Sequence, residues 1–215
     1  MAKVMIADDH AMLRQGLRTL LEQAQHQVTA DALSGEEACL LVEKHHPDLL
    51  ILDLDMPGIG GLETLKRILH RKPQMRVLIF SMHDDCIYAT RAIQAGARGY
   101  VTKTEPPEVV LEAVQKILKG GRYINNELAQ SLSIYHLESQ ENPIQRLSPR
   151  EFEVFRRIAQ GEALAGIAKG MHIGYKTVAN IQTSVRQKLG VETTGQLVHI
   201  AVRFGIIKGL QQGPS

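Results

Sequence analysis

Along the first ~120 residues the apolar positions switch repeatedly between a period of two and a helical period. Lys3–Asp8 reads as a short apolar strand. Met12, Leu13, Leu17, Leu20 and Leu21 then recur at helical spacing, which predicts a helix over 11–24. Gln27–Ala32 predicts a second strand, and Ser34 with Glu37 three residues later has the form of a capping box for a helix running to about His45. The alternation continues with a strand at 48–53, a helix at 62–71, a strand at 75–81, a helix at 84–95 and a short strand at 99–102. Pro106-Pro107 opens a last helix, 108–119, and Gly120-Gly121 stops it. Five strands alternating with five helices imply a parallel sheet covered on both faces. In such sheets ligands bind at the carboxyl ends of the strands.

From Leu147 the pattern is purely helical. Ser148-Pro149-Arg150-Glu151 is a strong start signal, with Ser as N-cap, Pro at the first helical position and Glu at the third. Helices are predicted at 149–159, 164–170, 175–189 and 194–204, punctuated by Gly161, Gly174 and Gly190. The organisation that follows is an α/β unit over 1–120, a polar and partly helical linker over 121–142 (with a helix predicted at 125–136), an all-α unit over 143–208 and a tail over 209–215.

Charge sharpens this division. The chain has a net charge of only +2, but residues 143–215 carry ten Lys and Arg against four Asp and Glu, leaving 1–142 at −4. Such asymmetry points to a nucleic-acid-binding end. No apolar run reaches the ~20 residues of a membrane span, and the N-terminus enters a strand without a signal-peptide pattern. A cytoplasmic location is therefore expected, with Cys39 and Cys86 as reduced apolar fillers.

The candidate chemistry lies at the strand ends. Asp8-Asp9 end the first strand, and Asp53 ends the third, in Leu49–Gly61 (LLILDLDMPGIGG). In a sheet of order 2-1-3-4-5 those strands are neighbours, so three carboxylates converge. Clustered like charges invite a divalent cation, and an all-oxygen donor set suits Mg2+. Ser81 ends the fourth strand and Lys103 follows the fifth. A hydroxyl and an ammonium beside a metal and a carboxylate form a phosphoryl-binding set in which the carboxylate can attack phosphorus.

"IADDH", "LLILDLDMPGIGG", "LIFSMH" and "GYVTK" together resemble the receiver domain of bacterial two-component response regulators over about residues 1–120. The resemblance implies a flavodoxin-like (βα)5 fold. It implies that Asp53 takes a phosphoryl group from a histidine kinase, that Asp8 and Asp9 are the Mg2+ acids, and that Asp55 gives its backbone carbonyl to the metal. Lys103 would contact the phosphoryl group, Ser81 would hydrogen-bond it, and Tyr100 would swing inward behind Ser81. Thr104 stands where many receivers have Pro. The competing enzyme reading is a haloacid-dehalogenase-like phosphatase, which also uses the first Asp of an Asp-x-Asp as nucleophile. In that family the further acidic pair follows the Lys, whereas Asp8-Asp9 comes first in this chain.

"LSPREFEVFRRIAQG", "IAKGMHIGYKTVANIQTSVRQKLGV" and "LVHIAVRFGII" resemble a LuxR-type helix-turn-helix domain of four helices. The whole chain is thus similar to NarL/FixJ-type transcriptional regulators, in a GacA-like branch. In the helix at 175–189, Val178, Ile181, Val185 and Leu189 should face the core. Ala179, Asn180, Thr183, Arg186 and Gln187 are then left for the major groove, with Lys176, Thr177 and Lys188 for phosphates. Ala179, Ile181 and Ala165-Gly166 depart from the residues frequent in the family, so no base preference carries over. The alternative on composition is a helical bundle that binds protein. In the last helix Leu197, Val198, Ala201 and Val202 form an apolar stripe, which the resemblance assigns in part to a homodimer on DNA.

Overall fold

A computed structural model describes residues 1–83, 86–125, 128–130 and 143–207. The chain divides into two compact units, Met1–Ser139 and Gln140–Ser215.

In the first unit β1 (Lys3–Ala7), β2 (Gln27–Ala32), β3 (Leu49–Leu52), β4 (Arg76–Ser81) and β5 (Gly99–Thr102) alternate with α1 (Ala11–Gln23), α2 (Gly35–His45), α3 (Gly61–Arg71), α4 (Cys86–Gln94) and α5 (Pro107–Leu118). All strand pairs are parallel, and the sheet order is β2-β1-β3-β4-β5-β6. The flavodoxin-like order is therefore present, with one strand more than the pattern predicts. β6 (Tyr123–Ile124) pairs with Gly99 and Tyr100 of β5 inside the stretch read as linker. Two residues are too short for a period to register. Residues 128–130 are helical, led in by Asn125, whose Oδ1 accepts from Leu128 N at 2.8 Å. The rest of the helix expected at 125–136, and the tail at 209–215, lie outside the described residues.

The core follows from side-chain alternation along buried strands. Val4, Ile6, Leu49, Ile51, Leu78, Phe80 and Val101 pack with Leu17 and Leu21 of α1 and Val110, Ala113, Val114 and Ile117 of α5. The intervening positions Met5, Leu50, Leu52, Val77, Ile79 and Tyr100 are equally buried on the opposite face. Truncating one of these, such as Leu50→Ala, removes about 2–5 kcal/mol through lost transfer energy and the cavity left behind.

The second unit begins with a 3-10 turn, Pro143–Arg146, followed by α6 (Pro149–Ala159), α7 (Leu164–Gly170), α8 (Tyr175–Leu189) and α9 (Thr194–Arg203). Its core holds Phe152, Phe155, Ile158, Ile167, Val178, Val185, Leu197 and Ala201. The capping box at Ser148 is complete. Ser148 Oγ accepts from Glu151 N at 3.3 Å, and Glu151 Oε2 accepts from Ser148 N at 2.7 Å. At Ser34 only half of the expected box forms. Its side chain accepts from Glu37 N, but Glu37 Oε2 takes Leu33 N at 2.7 Å instead of the cap residue's own amide. Among the described residues no helix is long and apolar enough to cross a membrane.

Candidate functional site

The pocket is built by strand register. Ala7 lies opposite Leu52, and Asp53 N donates to Ala7 O at 2.8 Å, so Asp8 and Asp53 leave adjacent strands side by side. Both are buried, at 2% and 1% exposure. Across β4, Ser81 pairs with Thr102, and Lys103 N donates to Ser81 O at 2.8 Å. This places Lys103 Nζ 2.8 Å from Asp8 Oδ2 and 2.7 Å from Asp53 Oδ2. Asp9 is exposed. His10 was not among the residues the pattern singled out. Its Nδ1 lies 2.9 Å from Asp9 Oδ1 and 3.2 Å from Asp8 Oδ1. One ligand atom from each of Asp8, Asp9, His10 and Asp53 falls within 4.8 Å of the others.

Burial pushes the Asp53 carboxyl above its ordinary range; Lys103 opposes this and Asp8 adds to it. At Lys103 burial disfavours the charge, but the pairs with Asp53 and Asp8 outweigh it and hold the ammonium above its usual value. Three carboxylates against one lysine leave negative charge over, and their oxygens fit a small hard divalent cation.

Glycine makes the loop after β3 possible. A Cβ on Gly61 would collide with Asp53 O and Leu54 Cα, so α3 can start against the backbone of the acidic residue only because that position lacks a side chain. At Gly58, φ is +88°, and a Cβ would meet the Glu36 carboxylate, which accepts from Ile59 N at 3.3 Å. Asp55 N donates to Asp53 Oδ1 at 3.2 Å, so the loop curls back onto the carboxylate.

Ser81 is fully buried, and its Oγ accepts from His83 N at 3.2 Å. Tyr100 is turned inward, 1% exposed, and its hydroxyl donates to His83 O at 2.9 Å. No cis peptide bond occurs among the described residues, so Lys103–Thr104 is trans.

In the helical unit, α8 presents Lys176, Thr177, Asn180, Thr183 and Gln187 as exposed residues, with Ala179 and Arg186 half-buried. Three further placements differ from the pattern. Ile181 is half-buried rather than in the core with Val178, Val185 and Leu189. Lys188 is not a free cation, because its Nζ lies 2.7 Å from Glu151 Oε2. Leu197 and Ala201 are not available for a dimer face, because both are fully buried in the bundle. Val198, half-buried, and Val202, 42% exposed, remain of that stripe. Helical spacing groups the four residues, but it cannot say where the stripe is divided between α6 and solvent.

Glu151 is a site the sequence shows only as a cap. Burial works against its charge, but Lys188, Ser184 Oγ at 2.7 Å and Ser148 N together hold its carboxyl down at about 2. The same carboxylate thus caps α6 and ties it to α8.

Comparison with known proteins agrees with both halves. Residues 4–115 match the response regulator receiver domain, and residues 145–201 match the bacterial regulatory proteins of the luxR family. Over 209 residues the chain is 40% identical to the transcriptional activator protein ExaE of Pseudomonas putida, covering 95% of this chain and 98% of that one. It is 32% identical over 210 residues to the response regulator GacA of Pseudomonas aeruginosa, covering 96% and 98%. Among solved structures it is similar to RcsB from Salmonella enterica serovar Typhimurium bound to promoter rprA in the presence of phosphomimetic BeF3−. That likeness has a TM-score of 0.66 and 26% identity, over 93% of this chain and 97% of RcsB. Asp8, Asp9, Asp53, Ser81 and Lys103 all lie within the span of the receiver match. The chain belongs to the LuxR-family two-component response regulators, transcriptional regulators that join a receiver to a DNA-binding helix-turn-helix domain.

Proposed function

We propose that Asp53 is the phospho-acceptor, taking its phosphoryl group from a histidine kinase. The observation that carries this reading is the Asp53 carboxylate, buried beside Asp8 with Lys103 Nζ at 2.7 Å. An Asp53 oxygen attacks phosphorus, the bond from phosphorus to the donor nitrogen breaks, and the imidazole leaves with the electron pair. Lys103 balances charge on the transferring oxygens. Asp8, Asp9, Asp53 and the Asp55 backbone carbonyl would hold Mg2+, which supplies further charge neutralisation at the phosphoryl oxygens when bound. The buried Ser81 hydroxyl and the inward Tyr100 read the phosphorylated state and bias the receiver surface.

The output is promoter binding by α8. Asn180, Thr183, Arg186 and Gln187 face the groove beside Ala179, and Lys176 and Thr177 meet phosphates. A homodimer on DNA follows by analogy with RcsB, two dimers of which are seen on two parallel DNAs; Val198 and Val202 would contribute to its contact. A cytoplasmic location is in keeping with both activities.

The deciding experiment is labelling with acetyl phosphate. Wild type should take up one phosphoryl group and the Asp53→Asn variant none. Labelling that persists in the variant would remove Asp53 from the role. Selecting bound DNA with and without acetyl phosphate then tests whether the switch reaches α8.

A further inference from the structure

His10 stands at the N-cap of α1 but does not cap it, since its side chain makes no capping bond to the helix. The residues favoured at that position carry a short side-chain oxygen. The imidazole turns the other way, toward the acids. Its Nδ1 lies 2.9 Å from Asp9 Oδ1 and 3.2 Å from Asp8 Oδ1. Two contacts hold this turn. His10 N donates to Asp8 Oδ1 at 2.8 Å, and Arg14 Nη1 donates to Asp8 O at 2.8 Å. The other Asp8 oxygen, Oδ2, is buried and faces Lys103 Nζ at 2.8 Å, outside hydrogen-bonding geometry, so a buried acceptor is left over. Donor atoms that share one six-coordinate ion at ~2.1 Å stand ~3.0 Å apart when adjacent and ~4.2 Å apart when opposite. The His10–Asp9 and His10–Asp8 separations match the adjacent spacing. One donor from each of Asp8, Asp9, His10 and Asp53 lies within 4.8 Å of the rest, close to the opposite spacing.

We propose that His10 Nδ1 is a ligand of the cation held by Asp8, Asp9 and Asp53, and that this nitrogen fits the site for a divalent transition ion of the Fe2+ to Zn2+ range as well as Mg2+. This rests on the reading of those acids as the cation site and goes beyond it. Oxygen donors alone serve Mg2+, which keeps several waters and takes few protein ligands. An imidazole nitrogen favours the later first-row ions instead. His10 turns an all-oxygen set into a mixed one. Binding exchanges one particle for another: the Nδ1 proton passes to solvent, and the nitrogen lone pair takes the ion. The His10 side chain is 64% exposed, which leaves its outer edge open to solvent.

The test titrates Co2+ and Mg2+ into the full chain, free of any affinity tag, and follows the visible absorption band of Co2+. Only the Co2+ that Mg2+ displaces is counted, which separates this pocket from histidines elsewhere on the surface. His10→Ala should weaken that Co2+ about thirtyfold, while Mg2+ affinity changes by less than about twofold. The Co2+ band should move to longer wavelength, as loss of a nitrogen donor weakens the ligand field. His10→Asn keeps a donor for the two carboxylates but no imidazole, and should behave like His10→Ala. Unchanged Co2+ affinity and band, equal loss of Co2+ and Mg2+, or recovery in His10→Asn would leave His10 a hydrogen-bonding residue and overturn its place as ligand. Wild type with no Mg2+-displaceable Co2+, or full Co2+ affinity after Asp9→Ala and Asp53→Ala together, would instead overturn the cation-site reading beneath it.

Discussion

Lys103 in the receiver and Lys188 in the helical unit each bring an ammonium within 2.8 Å of a buried carboxylate, yet the two carboxylates are in opposite condition. Glu151 has Lys188, Ser184 and the Ser148 amide around it, and its carboxyl is held down at about 2. Asp53 shares its one lysine with Asp8, and burial pushes its carboxyl up. A buried charge with every valence met is a fastening. One left short of partners costs stability where it stands, and is the natural place for a cation and a phosphoryl group to bind.

This contrast can be broken most forcefully at the lysines. Lys103→Ala should slow phosphoryl uptake from acetyl phosphate by about a hundredfold or more, the scale of removing one preorganised charge partner from a transferring group. Lys188→Ala should leave uptake unchanged. Equal uptake in wild type and Lys103→Ala would erase the distinction.

The acids should differ in stability. Glu151→Ala should destabilise the helical unit by about 2 kcal/mol, because it strips a helix cap and leaves Ser184 without its carboxylate acceptor. Asp53→Asn in the metal-free protein should cost nothing or stabilise slightly, by about 0.5 kcal/mol, since it removes one of two adjacent buried carboxylates. Urea unfolding with hydrogen exchange in each unit separates the two effects.

A smaller effect concerns acid. The folded Glu151 carboxyl lies below its ordinary value of 4.5, so its contribution is complete above about pH 4.5 and is lost as pH falls towards 2. Protection of α6 and α8 amides should drop over that window in wild type and change less in Glu151→Gln. A rise in protection on acidification would reverse the sign.

The smallest effect separates Lys176 from Lys188 on DNA. Lys176 is exposed and uncommitted to any acid in the described contacts, so Lys176→Ala should lower the slope of log affinity against log salt by about 1. Lys188→Ala should lower it by less, because Glu151 already neutralises that ammonium. Equal slopes would return Lys188 to the phosphate-contacting set.

The sequence by itself determined the sheet with its helices, the helical unit, and the acids at the strand ends. These depend on local periodicity and on where an apolar run stops, which are properties of neighbouring residues. It also marked Asp8, Asp9, Asp53, Ser81 and Lys103, since each sits where a strand gives way to a loop. Only the tertiary structure decided matters of partnership between distant segments. It made Tyr123–Ile124 a sixth strand, which two residues cannot announce but an open sheet edge can accept. It sent Leu197 and Ala201 inward and left Val202 in solvent, although all four residues of the stripe obey one spacing. It gave Glu151 a second duty toward α8, 33 and 37 residues away at Ser184 and Lys188, and set His83 against Asp55, 28 residues back. A periodic pattern records which face of an element is apolar. Which partner a polar side chain on that element meets is fixed only when the chain closes on itself.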